Sequence, residues 1–427
     1  MAFSPFFVLT LAIFACWGNS YTFFWRDEWN FLSEFREIHF GFFFQPFNGH
    51  IKPIFKLFYF LESQLFGINT VFYNITNLLI YSVAIYFTYV LATESSPEKE
   101  DGKSKIMAFG LAFVVALHPI NFNHLLWSFQ VSQSLYILFQ VLCVLYFVKY
   151  VQSDSKKYLI LSILFLLMQN YSFGNGLFMP FVFLGYAILF KKRDKIKLVA
   201  IYFFIFMATI MIQALCGNPD GLILKAIHNW YAILVEFINF LDINVCRIFT
   251  IIDGLHRFHF LGIALFAAFV FYGYSRKSVN KEVLTIYLLW FIINCVSIPI
   301  VRQDSAKVPH YYTVMSLIPV CFIVYLIAYD SLSSFAAQRK SISFGILSTI
   351  CVAFYIIDAR MVSIFSRRNA LNEQCLKSSI EKKIKYYAYD DPYFSEETDA
   401  FRVDDVQEIY LYWKGRTKFL LTPSEKK

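Results

Sequence analysis

The chain has 427 residues, of which 58% are hydrophobic, 20% aromatic and only 16% charged, and 38 basic against 30 acidic residues leave a net charge of +8. Soluble domains carry about 25% charged residues, and the mean hydropathy of +0.53 lies well to the apolar side. A soluble enzyme, a secreted disulfide scaffold and a disordered chain are excluded, and a polytopic membrane domain remains. Charge concentrates near the end, with 13 basic and 12 acidic residues over 358–427. The reading is an all-α polytopic membrane domain over 1–357 and a small polar C-terminal α+β domain over 358–427.

Apolar runs predict about eleven spans, near 3–24, 69–92, 106–117, 130–148, 158–170, 176–190, 198–216, 258–274, 282–300, 311–329 and 342–357. The first run lacks a basic flank and a small-x-small cleavage site, so it is expected to stay as a span. The connections alternate between two kinds. Short ones (93–105, 149–157, 191–197, 275–281 and 330–341) carry 16 basic residues, whereas the longer 25–68, 118–129, 171–175, 217–257 and 301–310 carry nine. The positive-inside rule puts the N-terminus in the cytoplasm, the longer segments outside, and the C-terminal domain outside as well. The segment 222–252 is apolar enough for another crossing. A full crossing would upset the later alternation, so an interfacial or re-entrant helix is expected there.

The basic clusters between spans act as topology signals, not as a nucleic-acid surface. The eight cysteines include no CxxC pair, so neither zinc nor a disulfide framework is indicated. With this topology all eight histidines (39, 50, 118, 124, 228, 256, 259 and 310) fall in or beside outside segments; two readings stay open, that these segments are simply longer or that polar chemistry is concentrated at the outer face.

The first outer loop, 25–68, is the informative one. It opens Trp25-Arg26-Asp27-Glu28-Trp29-Asn30. Phe31, Leu32, Phe35 and Ile38 then share a face opposite Glu34 and Glu37, a pattern suited to lying in the membrane interface. A second helix is predicted after Lys52-Pro53, carrying Leu57, Phe58, Leu61 and Leu65 and stopped by Gly67. Between them lies the polar turn Phe47-Asn48-Gly49-His50-Ile51-Lys52-Pro53.

This order resembles the GT-C superfamily of membrane glycosyltransferases, which use polyprenyl-phosphate sugars. The elements that carry the resemblance are the acidic cluster after the first span and the His50-Ile51-Lys52-Pro53 turn leading to Leu65-Phe66-Gly67. His118-Pro119 with Trp127, and Arg302-Gln303-Asp304 leading to His310-Tyr311-Tyr312, complete the set. His310 stands where the superfamily more usually has an arginine. The resemblance covers about residues 1–330 and rests on order and topology. By layout the chain is also similar to bacteriophage serotype-converting O-antigen glucosyltransferases.

The resemblance implies a base just after the first span, Asp27 or Glu28, which takes the acceptor's proton. It implies cations at the departing phosphate, Arg302, Lys307 and His310, with Lys52 and His50 as alternates. Attack from the opposite face with one base inverts the anomeric carbon. The partners implied are a polyprenyl-phosphate-linked sugar donor and a glycan or lipid-linked acceptor, with membrane lipid around them. No cofactor is called for; a divalent metal on Asp27, Glu28 and a histidine has no ligand spacing behind it. Other readings stay open: Asp27 and Glu28 as a salt cluster with Arg26, His50 and Lys52 as helix-end residues, and Arg302 and Lys307 as ordinary loop charges. A transporter or flippase for a lipid-linked saccharide is the alternative function. It predicts internal repeats and mid-membrane polar groups, and no clear repeat is present. In the tail, Val406–Trp413 and Thr417–Leu421 read as two strands around the turn Lys414-Gly415-Arg416.

Overall fold

The computed structural model describes residues 31–47, 50–96, 102–118, 121, 130–173, 176, 178–190, 196–216, most of 230–241, 261–301 and 310–338, and isolated positions beyond. The first outer loop begins as a helix over 31–34, tightens into 3-10 turns at Phe35–Glu37 and Phe40–Phe44, and forms a two-stranded antiparallel ribbon. In the ribbon β1 (Pro46–Phe47) pairs with β2 (His50–Ile51) in the register Pro46↔Ile51 and Phe47↔His50. The sequence Asn48-Gly49 joins them, the pair that suits a two-residue hairpin. Helix α1 (Pro53–Phe66) starts on proline, whose fixed φ fits the first helical position and whose missing N–H costs nothing there. It stops at Gly67, whose φ of 57° disfavours any residue with a Cβ.

Then follow α2 (Thr70–Ser95), α3 (Gly102–Leu117), α4 (Val131–Ser153), α5 (Lys156–Asn170), α6 (Pro180–Leu189), α7 (Ile196–Cys216), α8 (Leu261–Ser275), α9 (Lys281–Val301) and α10 (His310–Gln338). Each corresponds to one of the expected spans. The spans expected at 3–24 and 342–357 lie outside the described residues, position 353 excepted. By length and composition α2 and α4 are clearly able to cross a membrane, whereas the apolar parts of α3, α6, α7, α8 and α10 are shorter. Helix α6 begins later than expected because 176–179 form a turn that hands over to Pro180.

Side-chain pairs fix the directions of the helices. Ser134 bonds Asn77 near the starts of α4 and α2, and Lys149 pairs with Glu94 at 3.0 Å near their ends, so these helices run parallel. Cys143 with Ser162, and Tyr146 stacked on Tyr158, make α4 and α5 an antiparallel hairpin. Tyr186 on Glu282 sets α6 against α9, Phe183 on Tyr202 sets α7 against α6, and Tyr287 stacked on Phe322 sets α10 against α9. Tyr274 bonded to Thr285 brings the end of α8 to the start of α9. The lysine-rich connections therefore gather at one end of the bundle and the longer segments at the other, called the outer end below. The end of α7 and the start of α8 both lie at that outer end. Between them, part of 230–241 is helical; the rest of the segment 222–252 lies outside the described residues.

The surface is apolar and the interior is rich in aromatic residues. Helix α7 exposes Phe203, Phe204, Met207 and Met211, and α8 exposes Leu265 and Phe271, while Tyr186, Tyr202, Tyr287 and Trp290 are fully buried. Such a surface suits hydrocarbon. Hydroxyls inside the spans bond to their own helix: Ser82 to Leu78 O, Thr88 to Ala84 O and Ser95 to Leu91 O, at 2.7–2.9 Å. None of these leaves a bare polar group in an apolar setting.

Two expectations need correction. The face Phe31, Leu32 and Phe35 is buried by protein, against Phe55 and Tyr59 of α1, and does not lie on lipid. In the tail, Leu411 and Tyr412, read as strand, are helical; their β-rich neighbours express a preference that context overrides. Tyr412 lies under the Arg36 guanidinium at 5.7 Å, which brings the tail against the first outer loop. The rest of the expected strands falls outside the described residues.

Candidate active site

Among the described residues, the buried lysine, glutamate and histidine side chains are Lys52, Lys56, Glu62 and His118, and all four lie at the outer end. Burying such groups is costly unless they are paired or used.

The site is built on α1. Its inward face carries Phe55, Lys56, Tyr59, Glu62 and Ser63, and its outward face carries Leu57, Leu61 and Leu65, each about half exposed or more. Phe31, fully buried and three residues after Glu28, packs on Phe55 at 5.4 Å and on Tyr59 at 6.0 Å. Phe35 and Phe42, 5.4 Å apart, extend this aromatic floor.

Lys56 ties the loop together. Its Nζ donates to Phe42 O and Gln45 O, both at 2.9 Å, and lies 4.1 Å from the centre of the Phe42 ring. Burial lowers its pKa to about 8, against the opposing pull of Glu34. The two carbonyls belong to the end of the 3-10 turn, where a cation is favourable.

Lys52 sits at the junction of ribbon and helix and is 3% exposed. Its Nζ lies 4.9 Å from the centre of the Phe173 ring, and Ile54 N donates to Tyr171 O at 3.2 Å. These contacts dock the first outer loop on segment 171–175, two outer segments far apart in sequence. His118 is buried at the end of α3; its carbonyl accepts Asn121 N at 3.0 Å, and Asn121 Nδ2 caps Val115 O at 2.7 Å.

Of the residues expected to act, Lys52 is fully placed. His50 is placed as part of β2 and His310 as the first residue of α10, in backbone only. Asp27, Glu28, Arg302 and Lys307 lie outside the described residues. Lys56 and Glu62 were missed by sequence reasoning, although Lys52, Lys56, Tyr59 and Glu62 follow the three-to-four spacing of one helix face. No three of His, Cys, Asp and Glu converge as a metal site among the described residues.

No family model matches the chain, and no curated protein sequence matches it. Among solved structures it is similar to the archaeal oligosaccharyltransferase AglB from Archaeoglobus fulgidus, solved in complex with an inhibitory peptide and a dolichol-phosphate. The TM-score is 0.54 at 14% identity, over the whole of this chain and 60% of that one. The chain thus shares the fold of that membrane protein over the part that aligns. It spans about three fifths of that protein's length.

Proposed function

We propose that the chain is an inverting glycosyltransferase that moves a sugar from a polyprenyl-phosphate donor to a glycan or lipid-linked acceptor at the outer membrane face. The observation that carries this reading is the burial of Lys52, Lys56 and Glu62 within the first outer loop and of His118 at the end of α3, in a fold similar to a protein solved with a dolichol-phosphate. Asp27 or Glu28 takes the proton of the acceptor hydroxyl. The acceptor oxygen bonds to the anomeric carbon as the bond from that carbon to the phosphate oxygen breaks, and polyprenyl phosphate leaves with the electron pair. Lys52, His50, Arg302, Lys307 and His310 are the cations proposed to meet that charge. Lys52, buried where the ribbon meets α1, lies 4.9 Å from the centre of the Phe173 ring, and the proposal sets the donor phosphate beside it. An undecaprenyl carrier, a hexosyl group and an O-antigen-like acceptor are the finer form of the proposal.

The test uses membranes supplied with radiolabelled polyprenyl-phosphate sugars, comparing wild type with Asp27→Asn, Glu28→Gln and Lys52→Met. Donor-dependent transfer that is lost in one carboxylate variant, and shows a raised donor KM in Lys52→Met, supports the reading. Transfer that survives both carboxylate changes refutes the base assignment. Absence of transfer from every donor, with movement of a lipid-linked saccharide across the bilayer, favours the flippase.

A further inference from the structure

Pro319 is the tenth residue of α10 and is buried in the bundle. It has no N–H to give to the carbonyl four residues earlier, which is that of Met315. In a membrane, backbone carbonyls are satisfied from within the protein. Asn294 of α9 reaches across, and its Nδ2 donates to Met315 O at 2.9 Å. Its Oδ1 accepts from Gln140 Nε2 at 3.1 Å and from Tyr136 OH at 3.3 Å, while Gln140 Nε2 also donates to Tyr136 OH at 2.8 Å.

The hydrogens balance: one amide hydrogen of Gln140 goes to Asn294 and the other to Tyr136, and the tyrosine hydroxyl passes its own on to Asn294. Asn294, Gln140 and Tyr136 are each no more than 3% exposed. The chain of contacts continues outward. The Tyr136 ring lies 5.7 Å from that of Phe173, and Phe173 is the ring over which Lys52 sits. The carbonyl that Pro319 cannot serve is thus linked through four side chains to the first outer loop. On the α10 side, only the turn and a half from His310 to Met315 separates that carbonyl from the start of the helix.

We propose that Asn294 is a positioning residue: by holding the Met315 carbonyl it fixes the outer end of α10, from His310 on, relative to Lys52, so that the cations of both elements meet one donor phosphate. This inference rests on the transferase reading above for its catalytic consequence. Its structural half stands alone.

The experiment compares wild type, Asn294→Leu, Pro319→Ala and the double variant, purified in detergent with lipid. One readout is hydrogen exchange at backbone amides 310–318, and the other is donor KM against kcat. Alanine at 319 restores the backbone donor. Exchange over 310–318 should therefore rise about tenfold in Asn294→Leu, the factor for one buried hydrogen bond, and change less than about twofold when Pro319→Ala is already present. Donor KM should follow the same pattern with kcat less affected. Equal effects of Asn294→Leu in both backgrounds would overturn the proposal, as would unchanged exchange. Where Asn294→Leu is not recovered folded, Asn294→Ala takes its place in the cycle. If wild type transfers from no donor, the transferase reading fails; exchange still decides the role of Asn294.

Discussion

Replacing Lys56 with methionine tests how the first outer loop is held. Methionine keeps the length and apolar stem of the side chain and removes the ammonium. Phe42 O then loses its donor in a buried setting, which costs about 1–3 kcal/mol, and the ring contact adds about 1 kcal/mol. Gln45 is exposed, so water replaces the donor at its carbonyl. Against these losses stands the cost of burying the charge. A fall in pKa from 10.5 to about 8 corresponds to roughly 3 kcal/mol, at about 1.4 kcal/mol for each tenfold change in proton affinity.

The sign follows from proton counts. Below pH 8 both folded and unfolded chains hold the proton, and the wild type carries the full burial cost. Between pH 8 and 10.5 the unfolded chain holds more protons, so wild-type stability rises with pH. Lys56→Met should therefore be nearly neutral at pH 7 and should fall behind by about 2–3 kcal/mol near pH 10. Melting of the detergent-purified protein at both pH values reads this as a gap that widens by several degrees, on the order of 2 °C per kcal/mol. A gap that stays constant or narrows as pH rises would refute the assignment of Lys56 as a buried, charged tie.

Three further outcomes are expected. Gly176→Ala should cost about 2–3 kcal/mol, because the added Cβ would sit 2.9 Å from Asn170 Cα and 3.0 Å from Asn170 N, neither of which can yield; Gly102→Ala, which meets nothing within 4 Å, is the neutral control in the same melting assay. Phe173→Leu should raise donor KM and couple to Lys52→Met by about 1 kcal/mol in a double-mutant cycle of transfer rates, whereas strict additivity would show that the ring does not position the lysine. A spin label at Leu61→Cys in lipid vesicles should collide more with oxygen than with a water-soluble nickel chelate, with the reverse at Glu34→Cys. Equal accessibility at the two positions would remove α1 from the membrane interface.

How much of this was legible in the sequence depends on the distance over which the information acts. Helices α2 to α10 were legible because an apolar run of about 15–25 residues has few alternatives in a membrane chain. Helix α1 was legible from Lys52-Pro53 at one end and Gly67 at the other, both local signals. What could not be read was the side on which each face of α1 is satisfied. Leu57, Leu61 and Leu65 look like a core stripe yet point outward, while Lys56 and Glu62 point inward. The partner of Lys52 is Phe173, 121 positions away, and the partner of the Met315 carbonyl is a side chain on the preceding helix. No periodicity encodes such pairings. The strand expected at Val406–Trp413 failed at Leu411 and Tyr412 for a related reason, since composition expresses only a local preference.

The orientation of α1 bears on mechanism. In a soluble protein a helix with three exposed leucines and an inward lysine and glutamate would be destabilised on both faces. At a membrane interface the same arrangement would be favourable, with the leucines in lipid and each polar group enclosed. Lys56 shows how such a group is accommodated, since its charge is spent on two carbonyls and a ring of its own loop. Lys52 is built differently. Its ammonium lies 4.9 Å from the centre of a ring contributed by another segment, so it joins two parts of the chain that are far apart in sequence. Of the two buried lysines, Lys56 thus holds the first outer loop to itself, and Lys52 holds it to the segment after α5.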